Sequence, residues 1–379
     1  HHLINALDVL DRNPDRLDVF ALSAGKNIEL LSEQTKKFRP EVISIYDQNK
    51  VSELRERLNG YPVEILSGEG GGVEVATLSE VDLVVSGIVG GAGLVPTYEA
   101  IRAGKTVALA NKETLVIAGE LIINATRDGA KIIPVDSEHS AIFQVLNGEK
   151  RKRVKKIILT ASGGPFRTWS RERLGDVKIQ EALNHPNWNM GPKISIDSAT
   201  MMNKGLELIE AHYLFSIEES KIDVLIHLES IVHSLVAYVD GSVLAQLGSP
   251  DMRIPIAYTL GWPNRIKTPG ARLDLASVGN LRFEKPNHEL FPAIDLARHA
   301  LSLGGSGPAV LNAANEVAVE AFLKKKITFL DVIKIVESTL NYCDANEISS
   351  LSDLISADEE ARVIAAERVT GSAAKVRNS

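Results

Sequence analysis

The sequence predicts a doubly wound α/β domain, then an α+β domain built on a mixed sheet, then a small C-terminal helical domain. Three observations carry this. Over the first third, short β-branched runs alternate with amphipathic segments. From residue 137 to about 262 that alternation gives way to strand-like runs grouped around one long amphipathic stretch. Past residue 293 the periodicity is helical alone. At 379 residues the chain also exceeds the ~250–300 at which a single core stops growing, so two or three domains are expected.

In order along the chain, strands are expected at 19–23, 42–46, 81–86, 106–110 and 131–135, with helices at 28–37, 51–58, 96–103 and 114–128 between them. Near-continuous apolar strands linked by helices indicate a parallel sheet covered on both faces. Such sheets bind dinucleotides at the carboxyl ends of their strands, so residues 1–136 are expected to form a dinucleotide-binding domain. Residues 137–262 carry expected strands at 157–160, 193–196, 224–228, 234–239 and 242–247, with a main helix over 200–215. The proline-rich stretch 263–292 reads as a long connection, and 293–379 as the helical domain, from periodic stretches at 293–303, 309–324 and 330–340.

Bulk composition excludes several classes. Hydrophobic content is 44% and charged content 24%, ordinary for a globular enzyme. The net charge of −7 argues against a general nucleic-acid surface. The basic run 150–156 reads as a solvated approach to the strand that follows it. No apolar stretch nears the ~20 residues a membrane helix needs. The single cysteine, Cys343, rules out an intramolecular disulfide and an all-thiolate zinc site, and fits a reducing compartment. His1-His2 looks like the remnant of an affinity tag and is set aside.

Asp136-Ser137-Glu138, at the end of an apolar strand, is the most informative point in the chain. If the backbone there is extended, residues i and i+2 face the same side, and two carboxylates stand together. A second polar cluster, Asp197-Ser-Ala-Thr-Met-Met-Asn-Lys-Gly-Leu-Glu207, adds a third carboxylate with hydroxyl, amide and ammonium donors. Hard oxygens with such donors suit Mg²⁺ or Mn²⁺ holding an anionic substrate. On one helix, Asn203, Lys204 and Glu207 can share a face. His139, His227 and His233 each read as satisfied structural histidines, and the glycine-rich stretch 87–93 as a helix-packing turn.

Five blocks occur in order: Ala110-Asn-Lys-Glu113, Pro134-Val-Asp-Ser-Glu-His139, Ala161-Ser-Gly-Gly-Pro-Phe166, His185-Pro-Asn-Trp188, and Ile196 through Glu207. Together they resemble 1-deoxy-D-xylulose-5-phosphate reductoisomerases, NADPH- and metal-dependent enzymes of non-mevalonate isoprenoid biosynthesis. The resemblance implies that Asp136, Glu138 and Glu207 hold one Mg²⁺ or Mn²⁺, and that Ser137 and Lys112 contact substrate hydroxyls. It implies a phosphate cradle of Ser162, Ser198, Asn203 and Lys204, with Ser198 taken to stand at a helix amino terminus. It also implies a mobile lid near 183–192, in which His185 reaches the substrate and Trp188 closes over it. Asn111, Glu113 and Gly191 become nicotinamide-side contacts, and Gly25-Lys26-Asn27 the adenosine 2′-phosphate contact, where a basic residue favours NADP over NAD. The substrate is a small sugar phosphate. A homodimer is expected from the resemblance alone, in the cytoplasm of a bacterium or, after loss of a transit peptide, in a plastid-type organelle. Two rivals are a reductase like homoserine dehydrogenase, sharing Ala-Asn-Lys, and a binding protein that has lost the cofactor.

The amino terminus departs from the pattern. Ile4 to Leu10 match the family's first helix, and the strand and glycine-rich turn that should precede it are absent from the sequence. The expectation is that the natural protein has them, and that this chain binds NADPH weakly while keeping its metal and phosphate residues.

Overall fold

The computed structural model describes residues 2–126, 129–188 and 190–377. Its first domain runs α1 (His2–Asp11), β1 (Ala21–Ala24), α2 (Ile28–Phe38), β2 (Val42–Ile45), α3 (Val51–Arg57), β3 (Glu64–Ser67), α4 (Gly68–Thr77), β4 (Leu83–Ser86), α5 (Leu94–Arg102), β5 (Thr106–Leu109), α6 (Lys112–Ala125) and β6 (Lys131–Pro134). All six strands are parallel, in two three-stranded sheets ordered β1-β2-β3 and β4-β5-β6. Among the described residues, β1 and β4 each stand at a sheet edge.

Each sheet has its own core. Ile43 and Ile45 of β2 pack with Ile28, Leu31 and Leu54 from α2 and α3. Val107 and Leu109 of β5 pack with Leu94 and Ile101 of α5 and Leu115 and Ile122 of α6. The strand β3 and helix α4 are additions to the expected set. Gly68-Glu-Gly-Gly-Gly72 has poor helix propensity. Tertiary packing overrides it: β3 pairs with β2, and α4 lies so close that a Cβ on Gly71 would sit 2.9 Å from Ser44 Oγ. The helix expected over 114–128 starts earlier, at Lys112, and positions 127 and 128 lie outside the described residues.

The second domain holds α7 (Ser137–Val145), β7 (Val154–Ala161), α8 (Arg171–Leu174), α9 (Ile179–Leu183), α10 (Pro192–Ala199), α11 (Met202–Phe215), β8 (Ile222–His227), β9 (Val232–Tyr238), β10 (Val243–Leu247) and α12 (Arg253–Gly261). Its sheet is mixed, ordered β10-β9-β7-β8-β11, where β11 (Phe283–Glu284) pairs antiparallel with β8. The stretch 263–292 is therefore more than a connection, and it also contains the short helix α13 (Leu275–Val278).

The strand expected at 193–196 is instead the first half of α10. Its Ile-Ser-Ile alternation mimics a strand. However, Pro192 occupies the first helical turn, where its fixed φ favours a helix start, and Lys193 reaches Asp197 one turn on. The single long helix expected over 200–215 is likewise split from α10 by Met201, which adopts left-handed backbone (φ 65°), so α11 begins at Met202.

The last elements are α14 (Ala293–Leu303), α15 (Gly307–Leu323), α16 (Phe329–Leu340) and α17 (Leu351–Arg377). They share one continuous core with the mixed sheet, in which Leu206 and Ile209 of α11 meet Ile294, Val310 and Val336. Gly205 permits the close crossing of α11 with α14, since a Cβ there would lie 2.9 Å from the carbonyl oxygen of Ala293. Among the described residues, no helix is long and apolar enough to cross a membrane.

Candidate active site

Four chain segments converge on one cleft of about 710 Å³ between the first domain and the mixed-sheet domain. The first comes from the carboxyl end of β6. There Asp136 caps α7, its Oδ1 accepting from the backbone N–H of Glu138 at 3.1 Å and of His139 at 3.5 Å. The extended geometry expected for Asp136-Ser137-Glu138 is thus replaced by a helix start: capping demand on the orphan N–H groups wins over continuation of the strand. Ser137 donates to the Glu138 carboxylate.

The second segment comes from β5, after which Asn111 stands at the N-cap of α6 and Lys112 follows, buried. The Lys112 ammonium donates to Asp136 Oδ2 at 2.8 Å, Asn203 Oδ1 at 2.9 Å and Glu207 Oε1 at 2.9 Å. Burial opposes its charge, but Asp136 and Glu207 outweigh that and hold its pKa well above the usual lysine value. The third segment is α11, where the spacing of Asn203, Lys204 and Glu207 does put them on one face. Lys204 donates to Glu138 Oε1 at 2.9 Å and also to Glu207, and Asn203 Nδ2 donates to Glu207 Oε1 at 2.6 Å. Asn203 and Lys204 are therefore turned into the carboxylate cluster.

The cluster carries more negative than positive charge at its centre. Glu138 is pushed up to about 7, first by burial and then by the neighbouring Glu207 carboxylate. Glu210, one turn beyond Glu207, is also raised to about 7 by burial, and neither of its oxygens has a hydrogen-bond partner among the described residues. Four buried carboxylates crowded around three cations, with His139 Nδ1 at 3.4 Å from Glu210 Oε2, fit a divalent cation. Ligand atoms of Asp136, His139 and Glu207 lie within 4.8 Å of one another. His139 makes a poor ligand, however. Its Nδ1 is 3.0 Å from Asp136 Oδ1 and its Nε2 2.9 Å from the Glu207 carbonyl oxygen. Both oxygens only accept, so both ring nitrogens donate and no lone pair is free. Glu138, sharing Lys204 with Glu207, is the better third ligand. Burial pulls the His139 pKa down, but Glu210 and Asp136 raise it to about 9, in keeping with a doubly protonated ring. The reading of His139 as satisfied holds, and its place is inside the charged cluster.

The fourth segment follows β7. Ser162 Oγ lies 2.9 Å from His185 Nε2, while His185 Nδ1 accepts from the backbone N–H of Asn187 at 3.2 Å and of Trp188 at 3.0 Å. Nε2 therefore carries the proton and donates to Ser162, and burial keeps the ring neutral with a pKa near 4. This ring pins the segment carrying Trp188 to the cleft wall; within the expected lid, Asn189 lies outside the described residues. Ser198 lines the cleft too, but from the last turn of α10. The anion-binding helix start expected for it is not there, because 193–196 is helix and not strand.

On the cofactor side, Asn111, Glu113 and Gly191 line the same cleft. Asn111 Nδ2 donates to the Gly90 carbonyl at 3.0 Å, while its buried Oδ1 has no partner among the described residues. Gly25, Lys26 and Asn27 do not line this cleft. They form the turn from β1 into α2, where Asn27 caps the helix by accepting from the Leu30 N–H at 3.0 Å. Sequence reasoning missed three contributors. Glu210 was within reach, since it lies three positions after Glu207 on the same helix. Gly87, Ile88 and Val89 line the cleft from the stretch read as a packing turn, although Gly93 does pack tightly, its Cβ position overlapping Asn111 Nδ2. Lys193 carried no local signal beyond its spacing of four from Asp197.

Fold and site together define a class: a nucleotide-dependent α/β enzyme with a carboxylate-lined cleft at the carboxyl ends of its parallel strands. Residues 4–119 match the family described as 1-deoxy-D-xylulose 5-phosphate reductoisomerase, residues 132–215 its C-terminal domain, and residues 247–364 a DXP reductoisomerase C-terminal domain. The reductoisomerase of Rhodospirillum centenum is 53% identical over 366 residues, covering 96% of this chain and 91% of its own. That of Chloroherpeton thalassium is 53% identical over 359 residues, covering 94% and 93%. Among solved structures, the Zymomonas mobilis enzyme in complex with NADPH is 49% identical, with 96% and 95% of the chains covered and a TM-score of 0.91. A DOX-P reductoisomerase in complex with NADPH, fosmidomycin and magnesium is 42% identical, with 98% and 96% covered and a TM-score of 0.92. The chain belongs to the 1-deoxy-D-xylulose 5-phosphate reductoisomerase family.

Proposed function

We propose that this chain carries out its family's reaction, the rearrangement of 1-deoxy-D-xylulose 5-phosphate and its NADPH-dependent reduction to 2-C-methyl-D-erythritol 4-phosphate. The observation that carries the reading is convergence. Residues from five separate sequence blocks, Asn111 to Glu113, Asp136 to Glu138, Ser162, His185 to Trp188, and Ser198 to Glu207, meet in one cleft. Relatives were solved with NADPH and with magnesium, and both groups fit here. The crowded, buried carboxylates suit the cation, and the buried Asn111 Oδ1, unpartnered among the described residues, suits a polar cofactor group.

When bound, the cation supplies Lewis-acid polarisation of substrate oxygens and NADPH supplies hydride. Asp136, Glu138 and Glu207 would hold the cation, with His139 fixing Asp136 from behind. Lys112 stays protonated and, held by Asp136 and Glu207, would turn the bond it now gives Asn203 to a substrate hydroxyl, with Ser137 beside it. Ser162, Ser198, Asn203 and Lys204 would grip the phosphate and so supply orientation, Asn203 and Lys204 exchanging bonds they now give Glu207 and Glu138. His185 and Trp188 would close over the substrate and exclude water, strengthening every charge interaction inside. Asn111, Glu113 and Gly191 would contact the nicotinamide half, and Gly25, Lys26 and Asn27 the adenosine 2′-phosphate. A homodimer and a cytoplasmic setting complete the proposal, the latter supported by bacterial relatives.

NADPH oxidation followed at 340 nm tests this. Turnover should require both the sugar phosphate and Mg²⁺ or Mn²⁺, and Asp136→Asn should remove it. Substrate- and metal-dependent oxidation retained in that variant would refute the site.

A further inference from the structure

Gly90 is clamped between the first domain and the helical domain. Its backbone, at φ 74° and ψ −166°, lies in a region essentially closed to residues with a Cβ. Such a conformation persists only where its surroundings over-determine it. On one side Asn111, at the start of α6, donates from Nδ2 to the Gly90 carbonyl oxygen at 3.0 Å. On the other stands Glu316 of α15, so close that a Cβ on Gly90 would lie 2.9 Å from its Oε1.

Glu316 is itself held in place. Arg362 Nη2 of α17 donates to Glu316 Oε2 at 2.6 Å, and Asn312 Nδ2 donates to Oε1 at 3.3 Å. Helix α17 does not need this contact to satisfy its arginine. Asp358, one turn back on the same helix, already accepts from Arg362 Nε at 2.5 Å and from Nη2 at 3.2 Å. The consequence of the contact lies on the far side of Gly90. Ile88 and Val89, just before it, line the cleft. The Gly90 carbonyl also decides which way the Asn111 amide faces, and so where its buried, unpartnered Oδ1 is presented. Neither Glu316 nor Arg362 lines the cleft, so both act through the 87–93 loop.

We propose that Glu316, held by Arg362, is a positioning residue for the cofactor: it fixes the Gly90 carbonyl, and through it the Asn111 amide, so that NADPH meets a preformed wall. The helical domain thereby sets cofactor affinity from outside the cleft. The inference rests on the functional reading above, in which Asn111 contacts the nicotinamide half.

Calorimetry on the full chain gives the Kd of NADPH, and separately that of fosmidomycin with Mg²⁺ and no NADPH, for wild type, Glu316→Ala, Glu316→Gln and Arg362→Met. Glu316→Ala should raise the NADPH Kd about 3–30-fold, the range for residues that act on a site without touching its ligand. Arg362→Met should raise it too, and Glu316→Gln, which keeps the shape, should recover part of the loss. The fosmidomycin Kd should stay within about twofold of wild type throughout. In turnover the KM for NADPH should rise while kcat at saturating NADPH holds. Should Glu316→Ala fail to fold by near-UV circular dichroism, Arg362→Met decides by the same criterion. An NADPH Kd unchanged in the folded variants overturns the proposal. So does an equal loss of fosmidomycin binding, which would mark a general structural role. Absence of NADPH binding to wild type would overturn the functional reading and this inference with it.

Discussion

Lys204→Met is the most revealing single change at the site. Lys204 is 4% exposed in its side chain and donates to Glu138 and Glu207, both carboxylates of the cluster. Breaking a buried pair by removing one partner typically costs ~3–5 kcal/mol. Here Glu138 offers relief, because its pKa already stands at about 7 against an ordinary carboxyl value of 4.5. Without Lys204 that pKa rises further, and at pH 7 the carboxyl simply takes a proton, so the loss at pH 7 should be nearer ~1–2 kcal/mol. The sign then follows from proton counts. A carboxyl whose folded pKa is raised binds more protons folded than unfolded, so its stabilisation is full below about 4.5 and lost as pH rises through the folded value. In metal-free wild type the Glu138 contribution ends near pH 7. In the variant the decline continues above pH 7, at up to ~1.4 kcal/mol per pH unit. Metal-free thermal unfolding from pH 5 to 9, wild type against variant, measures this, and Glu210 cancels in the comparison because it titrates in both. In turnover, loss of one charged hydrogen bond to phosphate, ~1.5–3 kcal/mol, should raise the substrate KM by about 10–150-fold. Curves of Tm against pH that run parallel above pH 7 would refute the account of the cluster.

Two further outcomes are expected. Gly93→Ala pushes a Cβ into Asn111 Nδ2 and to 2.9 Å from the Ile88 carbonyl oxygen, so NADPH affinity by calorimetry should fall at least several-fold while Mg²⁺ affinity holds. For His185, burial lowers the folded pKa to about 4 from 6.5, so the folded ring resists protonation that the unfolded chain accepts. Its contribution to holding the 185–188 segment should persist above pH 6.5 and fade towards pH 4, seen as loss of the Trp188 fluorescence response to fosmidomycin, and His185→Gln should flatten that pH dependence.

The sequence by itself determined the parallel α/β start, the mixed-sheet middle and the helical end, because apolar periodicity is a local record of which face is buried. Five blocks with fixed internal spacing also pointed to polar residues that the cleft brings together, Asn111 to Glu113, Asp136 to Glu138, Ser162, His185, Trp188, Gly191, Ser198, Asn203, Lys204 and Glu207, but not to Gly87 to Val89, Lys193 or the 249–252 stretch that line it too. Only the tertiary structure decided the rest. Residues 193–196 alternate like a strand and fold as a helix because Pro192 starts it and Asp197 answers Lys193. Gly68 to Gly72 are poor helix formers, yet they form α4 where β3 pairs with β2 beside it. Asp136 turned out to be a helix cap as well as a cluster carboxylate, a dual demand on one side chain that no local pattern displays. Lys193 lay furthest from view. Its partner at 197 stands one turn on along the same helix, but Glu113 becomes a partner only when α6 and α10 meet, and sequence spacing holds no trace of that meeting.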